Sequence, residues 1–587
     1  MNALRAWKVT ASLAFRAWPA GAVGRVLVTV GFDVCRGLLP GLALRALLNG
    51  GGAGWMALLV VAALFPLANR PLWDWLQRAL DLRTNQAAAQ AVMAAALAPA
   101  GIDHLESARY ADAMEVVRTN ARIPGLLFDW MAGVLGGLLG LGVSLYVLAG
   151  VHPLLLLPVA GAAGLGVLHA ASRRRSLAYI HESLPGQRLT RRLAELATSP
   201  SAAKEVRTLA LGPWLVARHR LEADEVARRL AAGERGPVLA AAVSGVAQAA
   251  LLGLGILWLV RLAATGRATT GDLALGLVVL RTAVDNASAI GTNMGADIAR
   301  NTHVATRYLW LLDYRPELTV SADPRPAPAA LRAGIRLNGV TFQYEGARRP
   351  ALDDLSLFLP AGSTVALVGD NGAGKSTVVK LLCRFYDPQQ GRLTVDDVDL
   401  RDIDLDQWRA STTGAFQDFV RFRFLAKDAV GIGDLSASAD HERVAAAALA
   451  GGAAPFLEGL PSGYATQLGR DFPDGADLSE GQWQKVALSR ALMRTAPLLV
   501  VLDEPTAALD ARAEHLLFER YASESVAARG RGGVTVLVSH RFSTVRMADL
   551  IVVLEEGRVV ETGTHDALLG AAGRYAELYA LQAQRYR

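Results

Sequence analysis

Six segments of this 587-residue chain are so long and apolar that few folds can hold them. They lie near 26–48, 55–77, 124–150, 153–171, 238–261 and 271–295. A bilayer core of about 30 Å is crossed by roughly 20 helical residues, and each segment meets that length. Runs such as VLGGLLGLGVSLYVLAG leave no polar face for water, which argues against buried helices of a large soluble domain. The chain therefore reads as a multi-pass membrane protein.

Charge divides the chain in two. Residues 1–332 carry 33 Lys/Arg and 21 Asp/Glu, whereas 333–587 carry 27 and 33. The basic charges of the first part interrupt apolar runs instead of clustering with aromatics, so nucleic acid is not an expected partner. Cys35 and Cys383 lie far apart, which leaves no disulfide framework and no cysteine-based zinc site. The N-terminal apolar run is broken by Arg16 and two Trp, so no cleavable signal peptide is expected.

Lys and Arg also orient the spans. The segment 49–54 and the turn at 150–152 have none, and 262–270 has only Arg267. The alternating loops 80–123 and 172–236 carry four and thirteen. By the positive-inside rule both termini and the two long loops are expected in the cytoplasm. Those loops are rich in helix formers, so the spanning helices are expected to continue beyond the membrane. Residues 1–25 are expected to hold an interfacial helix, with Leu4, Trp7, Phe15 and Trp18 set among basic residues. The membrane domain then runs over 26–314, and the Pro-rich stretch 315–332 reads as a linker.

After the linker the pattern changes to short β-branched runs alternating with helices, over 333–587. STVALVG, GRLTVDD, LLVVLDE, VTVLVSH and LIVVLEEG read as strands of a largely parallel sheet. The fold class expected is thus multi-domain: an all-α six-helix membrane domain, then an α/β P-loop domain with a helical subdomain. Between the first strand and a helix stands Gly369-Asp370-Asn371-Gly372-Ala373-Gly374-Lys375-Ser376, which fits G-x-x-x-x-G-K-[ST] in its required strand–loop–helix setting. Its glycines let backbone N–H groups curl around phosphates, Lys375 reaches the β- and γ-phosphates, and Ser376 is placed to ligate Mg²⁺. The chain holds only six lysines against 54 arginines, so a lysine at this position is informative. Asp503 ends the apolar run 498–502 and is a second Mg²⁺ ligand; Glu504 beside it is placed to act as general base toward water.

These motifs resemble the ATP-binding cassette (ABC) transporter family. Leu478-Ser479-Glu480-Gly481-Gln482 is similar to the family signature, Gln417 to its glutamine loop, and Ala507-Ala508-Leu509-Asp510 to its D-loop. His540 is similar to the switch histidine, and Tyr344 to the aromatic that stacks on adenine. The resemblance implies ATP hydrolysis with Mg²⁺ held by Ser376, Gln417 and Asp503, partly through water. It implies catalytic roles for Glu504, His540 and Lys375, and ATP binding by Tyr344, Gly369, Asn371, Gly372, Gly374, Lys375, Ser376, Thr377, Gln417 and Asp503. From a second half-transporter chain, identical or different, Ser479, Gly481 and Gln482 would reach the same ATP. Glu480 and Ala508 depart from the usual Gly and Ser, and Glu480 places a carboxylate near nucleotide.

The first part is similar to the family's exporter-type membrane domain, with short helices near 103–112 and 198–206 expected to dock on the ATPase domain. No peptidase domain is expected before residue 26. The function implied is alternating-access export of an amphipathic small molecule, peptide or lipid by a dimer in lipid. An importer on the same fold, or a membrane-anchored ATPase regulating a partner, are the alternatives. Within the spans, Asp33 and Arg36, and Arg281 and Asp285 with Ser288 and Thr292, are candidate cavity residues, because charge inside a bilayer is costly. Pairing along their own helices is the competing reading.

Overall fold

The computed structural model describes residues 3–119, 123–315, 318, 320–504, 530–539 and 541–585. His540 and the segment Ala507–Asp510 lie outside the described residues, as do the side chains of Leu4, Trp7 and Thr292. The chain forms two compact units, 1–98 with 108–314, and 99–107 with 315–587. The linker boundary read from the sequence divides the chain once, whereas packing also gathers 99–107 into the C-terminal unit.

The first unit is helical: α1 (Ala3–Ala17), α2 (Pro19–Leu48) and α3 (Ala53–Leu97) precede α5 (Ala108–Thr119), and α4 (Asp103–Glu106) between them belongs to the other unit. Then follow α6 (Ile123–Val151), α7 (Leu156–Thr198), α8 (Ala203–Thr208), α9 (Gly212–Ala264) and α10 (Thr270–Leu312). Six of these are long and apolar enough to cross a membrane. Four outrun a bilayer by a wide margin: α3 has 45 residues, α7 43, α9 53 and α10 43. The expectation that the spans continue as helices into the long loops is met. Between 11% and 39% of the residues in the apolar windows are buried.

Small residues bring α2, α6 and α10 together. A Cβ on Gly37 would meet Thr282 Oγ1 at 2.6 Å, one on Gly41 would meet Leu275 Cδ1 at 2.7 Å, and one on Gly136 would meet Asp33 Oδ2 at 2.5 Å. Close backbone approach of this kind is how helices associate where no hydrophobic force separates helix from lipid. Leu148, Leu155, Leu259, Leu275 and Leu280 form the buried centre of the same unit. Helix α10 starts with a capping box: Thr269 Oγ1 accepts from Asp272 N–H, and Asp272 accepts from Thr269 N–H, both at 3.0 Å. Helix α1 packs on α2, α3, α6 and α10, with the Phe15 ring edge-on to Phe128 at 5.8 Å.

In the second unit two sheets share a core. Strands β1 (Gly334–Phe342), β2 (Leu352–Pro360), β4 (Gln390–Val395) and β5 (Val398–Asp399) form an antiparallel sheet in the order β2-β1-β4-β5. Strands β3 (Thr364–Val368), β6 (Thr412–Ala415), β7 (Leu499–Asp503), β8 (Val534–Val538), β9 (Leu550–Glu555) and β10 (Arg558–Gly563) form the other, in the order β10-β9-β3-β8-β7-β6. All pairs of the larger sheet are parallel except β9 with β10. GRLTVDD is therefore corrected: as β4 it pairs antiparallel with β1, outside the parallel sheet. Helices α11 (Lys375–Leu382) and α12 (Leu405–Ala410) lie near the sheets. A separate helical cluster packs α13 (Ala426–Gly431), α14 (His441–Ala450), α15 (Ala454–Leu457) and α16 (Glu480–Ala491) around Val430, Leu457, Trp483 and Met493.

Candidate nucleotide site

The Gly-rich loop connects β3 to α11 and its shape depends on glycine at three positions. Gly369, Gly372 and Gly374 have φ of 151°, 85° and 100°, values that side-chain-bearing residues adopt only at a cost. A Cβ on Gly374 would also stand 2.7 Å from the Ala351 carbonyl oxygen. Gly374 caps α11, whose first residue is Lys375. The Lys375 ammonium is buried and donates to the carbonyl oxygens of Gly369 and Asp370, both at 2.8 Å. Burial holds its pKa below the usual lysine value, against the opposing charges of Glu504, Asp370 and Asp503.

Strand β7 delivers the acidic pair, since its burial on both faces leaves the polar residues at its end. Asp503 is buried, and burial raises its pKa to about 6, assisted by the charges of Glu504 and Asp418 and opposed by a hydrogen bond from Ser376 and the charge of Lys375. Glu504 sits at φ 47°, a strained setting for a residue with a Cβ, and its N–H donates to the Val538 carbonyl at 2.9 Å. Gln417, just after β6, donates through Nε2 to Glu504 Oε2 at 3.0 Å. Lys375, Ser376, Asp503, Glu504 and Gln417 thus converge at one end of the parallel sheet. The hydroxyl, carboxylate and amide oxygens there are hard donors suited to Mg²⁺. Among the described residues no three His, Cys, Asp or Glu form a metal cluster.

Tyr344 follows β1, and its hydroxyl lies 3.2 Å from Thr377 Oγ1 on α11. Its ring stands edge-on to Phe342 and to Tyr386, at 4.9 and 5.7 Å. Sequence reasoning missed what surrounds it. Lys380 lies 5.1 Å from the Tyr344 ring centre and donates to Glu106 Oε1 at 2.8 Å, while the Tyr386 hydroxyl donates to Glu106 Oε2 at 2.5 Å. Burial raises the Glu106 pKa, but those two hydrogen bonds and the Lys380 charge prevail and lower it. Segment 99–107 is further held by the Ile102 N–H to the Phe385 carbonyl, 3.3 Å, and by Arg409 donating to the Ala100 carbonyl, 2.5 Å. The docking expected of a short helix near 103–112 is met by α4 (Asp103–Glu106), whereas α5 belongs to the other unit; that Glu106 makes the contact was not legible.

Ser479, Gly481 and Gln482 stand apart from that convergence, at the start of α16. Ser479 Oγ accepts from the Gln482 N–H at 3.3 Å, and Gln482 Oε1 accepts from the Ser479 N–H at 2.8 Å. The Gln482 N–H is thereby directed at the cap, a qualification of its expected role toward an anion. Glu480 is paired with Arg421 at 2.7 Å.

In the helical unit, Asp33 packs against Gly136 and Gly140 of α6. Arg36 is exposed, and Arg281 and Asp285 face each other at 3.9 Å with side chains 77% and 50% exposed. The charged cluster that is buried was not foreseen. Arg25 Nε donates to Asp129 Oδ1 at 2.6 Å, Gln77 donates to Asp129 Oδ2 at 3.1 Å, and the guanidinium lies 3.9 Å from the Trp73 ring centre. Arg25, Gln77 and Asp129 fall at the ends of the expected spans, where charge looks like ordinary flanking sequence.

Residues 352–507 match the family described as ABC transporter. An ATP-dependent lipid A-core flippase of Thiobacillus denitrificans is 39% identical over 255 residues, 43% of this chain and 42% of the flippase. One of Methylobacillus flagellatus is 34% identical over 319 residues, 54% of this chain and 52% of that protein. The chain spans about half the length of the curated relatives it matches. A solved structure of a bacterial Atm1-family ABC exporter with ATP bound has a TM-score of 0.72 and 26% identity, covering 97% of this chain and 98% of its own. Taken with the six long helices and the convergent Gly-rich loop, these matches give the chain the architecture of an exporter-type ABC half-transporter, with membrane and ATPase domains fused.

Proposed function

We propose that two such chains, most simply identical, form an ATP-driven exporter that moves an amphipathic cargo across the membrane by alternating access. The observation that carries the reading is the convergence of Lys375, Ser376, Gln417, Asp503 and Glu504 in a chain that also holds six helices long and apolar enough to cross a membrane. In this reading Tyr344 stacks on the adenine, the N–H groups of the Gly-rich loop and Lys375 hold the phosphates, and Ser376, Asp503 and Gln417 hold Mg²⁺. The ion would neutralise phosphate charge. Glu504 accepts a proton from the attacking water, and Gln417, bonded to it, holds its carboxylate in place. Ser479 and Gly481 of the second chain complete the site from α16, with His540 assigned to the γ-phosphate by resemblance alone.

The lipid named in the flippase relatives supports a lipid-like cargo, and the basic loops 80–123 and 172–236 support cytoplasmic ATPase domains in a bacterial plasma membrane. Glu504→Gln tests the assignment. The amide cannot take the proton, so hydrolysis in lipid nanodiscs should fall by at least about 10²-fold while ATP remains bound. Near-normal turnover would remove Glu504 from the role.

A further inference from the structure

The departure at position 480 has a structural counterpart elsewhere in the domain. Glu480 is the first residue of α16, next to Ser479, so its carboxylate stands where the proposed composite site receives the phosphates of the other chain's ATP. Two unit charges about 8 Å apart at an effective dielectric near 40 repel enough to weaken binding about fivefold. In this chain the carboxylate is not bare: Arg421 reaches Glu480 Oε1 at 2.7 Å.

Arg421 lies four residues past Gln417, on a segment pinned to the same helix. Arg490 of α16 donates to the Val420 carbonyl at 3.2 Å and to the Ala429 carbonyl at 3.1 Å, and its guanidinium stacks 4.5 Å from the Phe422 ring centre. The stretch 417–422 therefore contacts Glu504 at one end and α16 at the other. Its backbone is fixed where Arg421 must start to reach Glu480. Both side chains are substantially exposed, so the pair adds little to folding, and its effect falls on whatever charge approaches α16.

We propose that Arg421 is a positioning residue for the nucleotide bound across the dimer, pairing with Glu480 to cancel the negative charge that this chain carries in its signature sequence. The proposal rests on the composite site described above. It predicts that Glu480 is harmless only while Arg421 is present, and that removing both is milder than removing Arg421 alone.

The test uses the full-length chain in lipid nanodiscs, in the Glu504→Gln background, with radiolabelled Mg·ATP retained after rapid gel filtration as the readout. Arg421→Ala should raise the half-saturating ATP concentration about fivefold at 50 mM salt, and much less at 500 mM, because the repulsion it exposes is screened. Arg421→Lys should stay near the parent, and Arg421→Ala with Glu480→Gly should return to within about twofold of it. An unchanged half-saturation in Arg421→Ala overturns the proposal. So does a double variant as weak as Arg421→Ala, or a loss insensitive to salt, since damage to the 417–422 stretch would give either. A parent that retains no ATP would overturn the composite site itself, and this proposal with it; a parent that retains ATP confines any failure to the Arg421–Glu480 pair.

Discussion

Replacing Arg25 with Met should destabilise the helical unit more than any exposed charge change, and the reason lies in what Asp129 loses. The Arg25 side chain is 1% exposed and Asp129 21%, so neither can recover much hydration when its partner is removed. Among the described residues Asp129 would keep the Gln77 amide at 3.1 Å, and Trp73 would lose the cation over its ring. Breaking a buried ion pair from one side costs about 3–5 kcal/mol, because a charge is left uncompensated. The cation–π contact adds about 1–2 kcal/mol where it is desolvated. Asp129→Asn should cost a similar amount, since it leaves the buried Arg25 guanidinium, whose Nη1 has no hydrogen-bond partner among the described residues, without its counter-charge. Arg25→Met with Asp129→Leu removes both charges and should recover most of the loss, leaving mainly the Trp73 contact and repacking. The assay is a double-mutant cycle of unfolding in lipid nanodiscs, read by circular dichroism against denaturant. A double variant as unstable as either single one would refute the reasoning, as would a single-variant loss below about 1 kcal/mol.

The Asp503 carboxyl, with its pKa raised to about 6, makes metal binding pH-dependent. Below that pH a proton occupies the carboxylate, so the Mg²⁺ concentration for half-maximal ATPase should rise roughly tenfold per pH unit from about 6 downward, and remain flat above 7. Linkage gives the opposite sign for the nucleotide-free domain: the folded state binds the proton more tightly than the unfolded one, so this group's contribution to stability falls as pH rises through the interval from 3.8 to about 6. Calorimetry of Asp503→Asn, which lacks the titration, checks it. Arg281→Ala should alter the stimulation of ATPase activity by amphipathic compounds while leaving the melting temperature nearly unchanged, because at 3.9 Å and largely exposed the Arg281–Asp285 pair braces α10 weakly. A large stability loss with unchanged stimulation would assign the pair to the helix instead.

What the sequence revealed follows from how far apart the interacting residues lie. The Gly-rich loop was legible because its strand, turn and helix are consecutive, and Gly369, Gly372, Gly374 and Lys375 meet the phosphate requirement within one turn. The spans were legible because length and hydropathy act locally. The antiparallel sheet was not, since β4 finds its partner in the pairing of Ile335 with Val395, and short alternating strands carry no mark of parallel or antiparallel neighbours. Arg25 with Asp129, 104 residues apart, and Glu106 with Lys380, 274 apart, were invisible for the same reason. Asp33 and Arg36 looked alike in sequence, yet Asp33 packs on α6 while Arg36 is exposed, because neighbouring turns of one helix meet different surfaces.

The most direct test of ATP-driven export is transport in proteoliposomes with ATP supplied only from outside, so that only chains with outward-facing ATPase domains are energised. An NBD-labelled phospholipid and a hydrophobic cationic dye serve as probes, with Glu504→Gln as the control. The account predicts ATP-dependent movement of at least one probe toward the lumen (the outer leaflet in a cell) by the wild-type chain, and none by Glu504→Gln. ATP-dependent movement out of the lumen, or hydrolysis by the wild type with probe movement no greater than in Glu504→Gln, would contradict it.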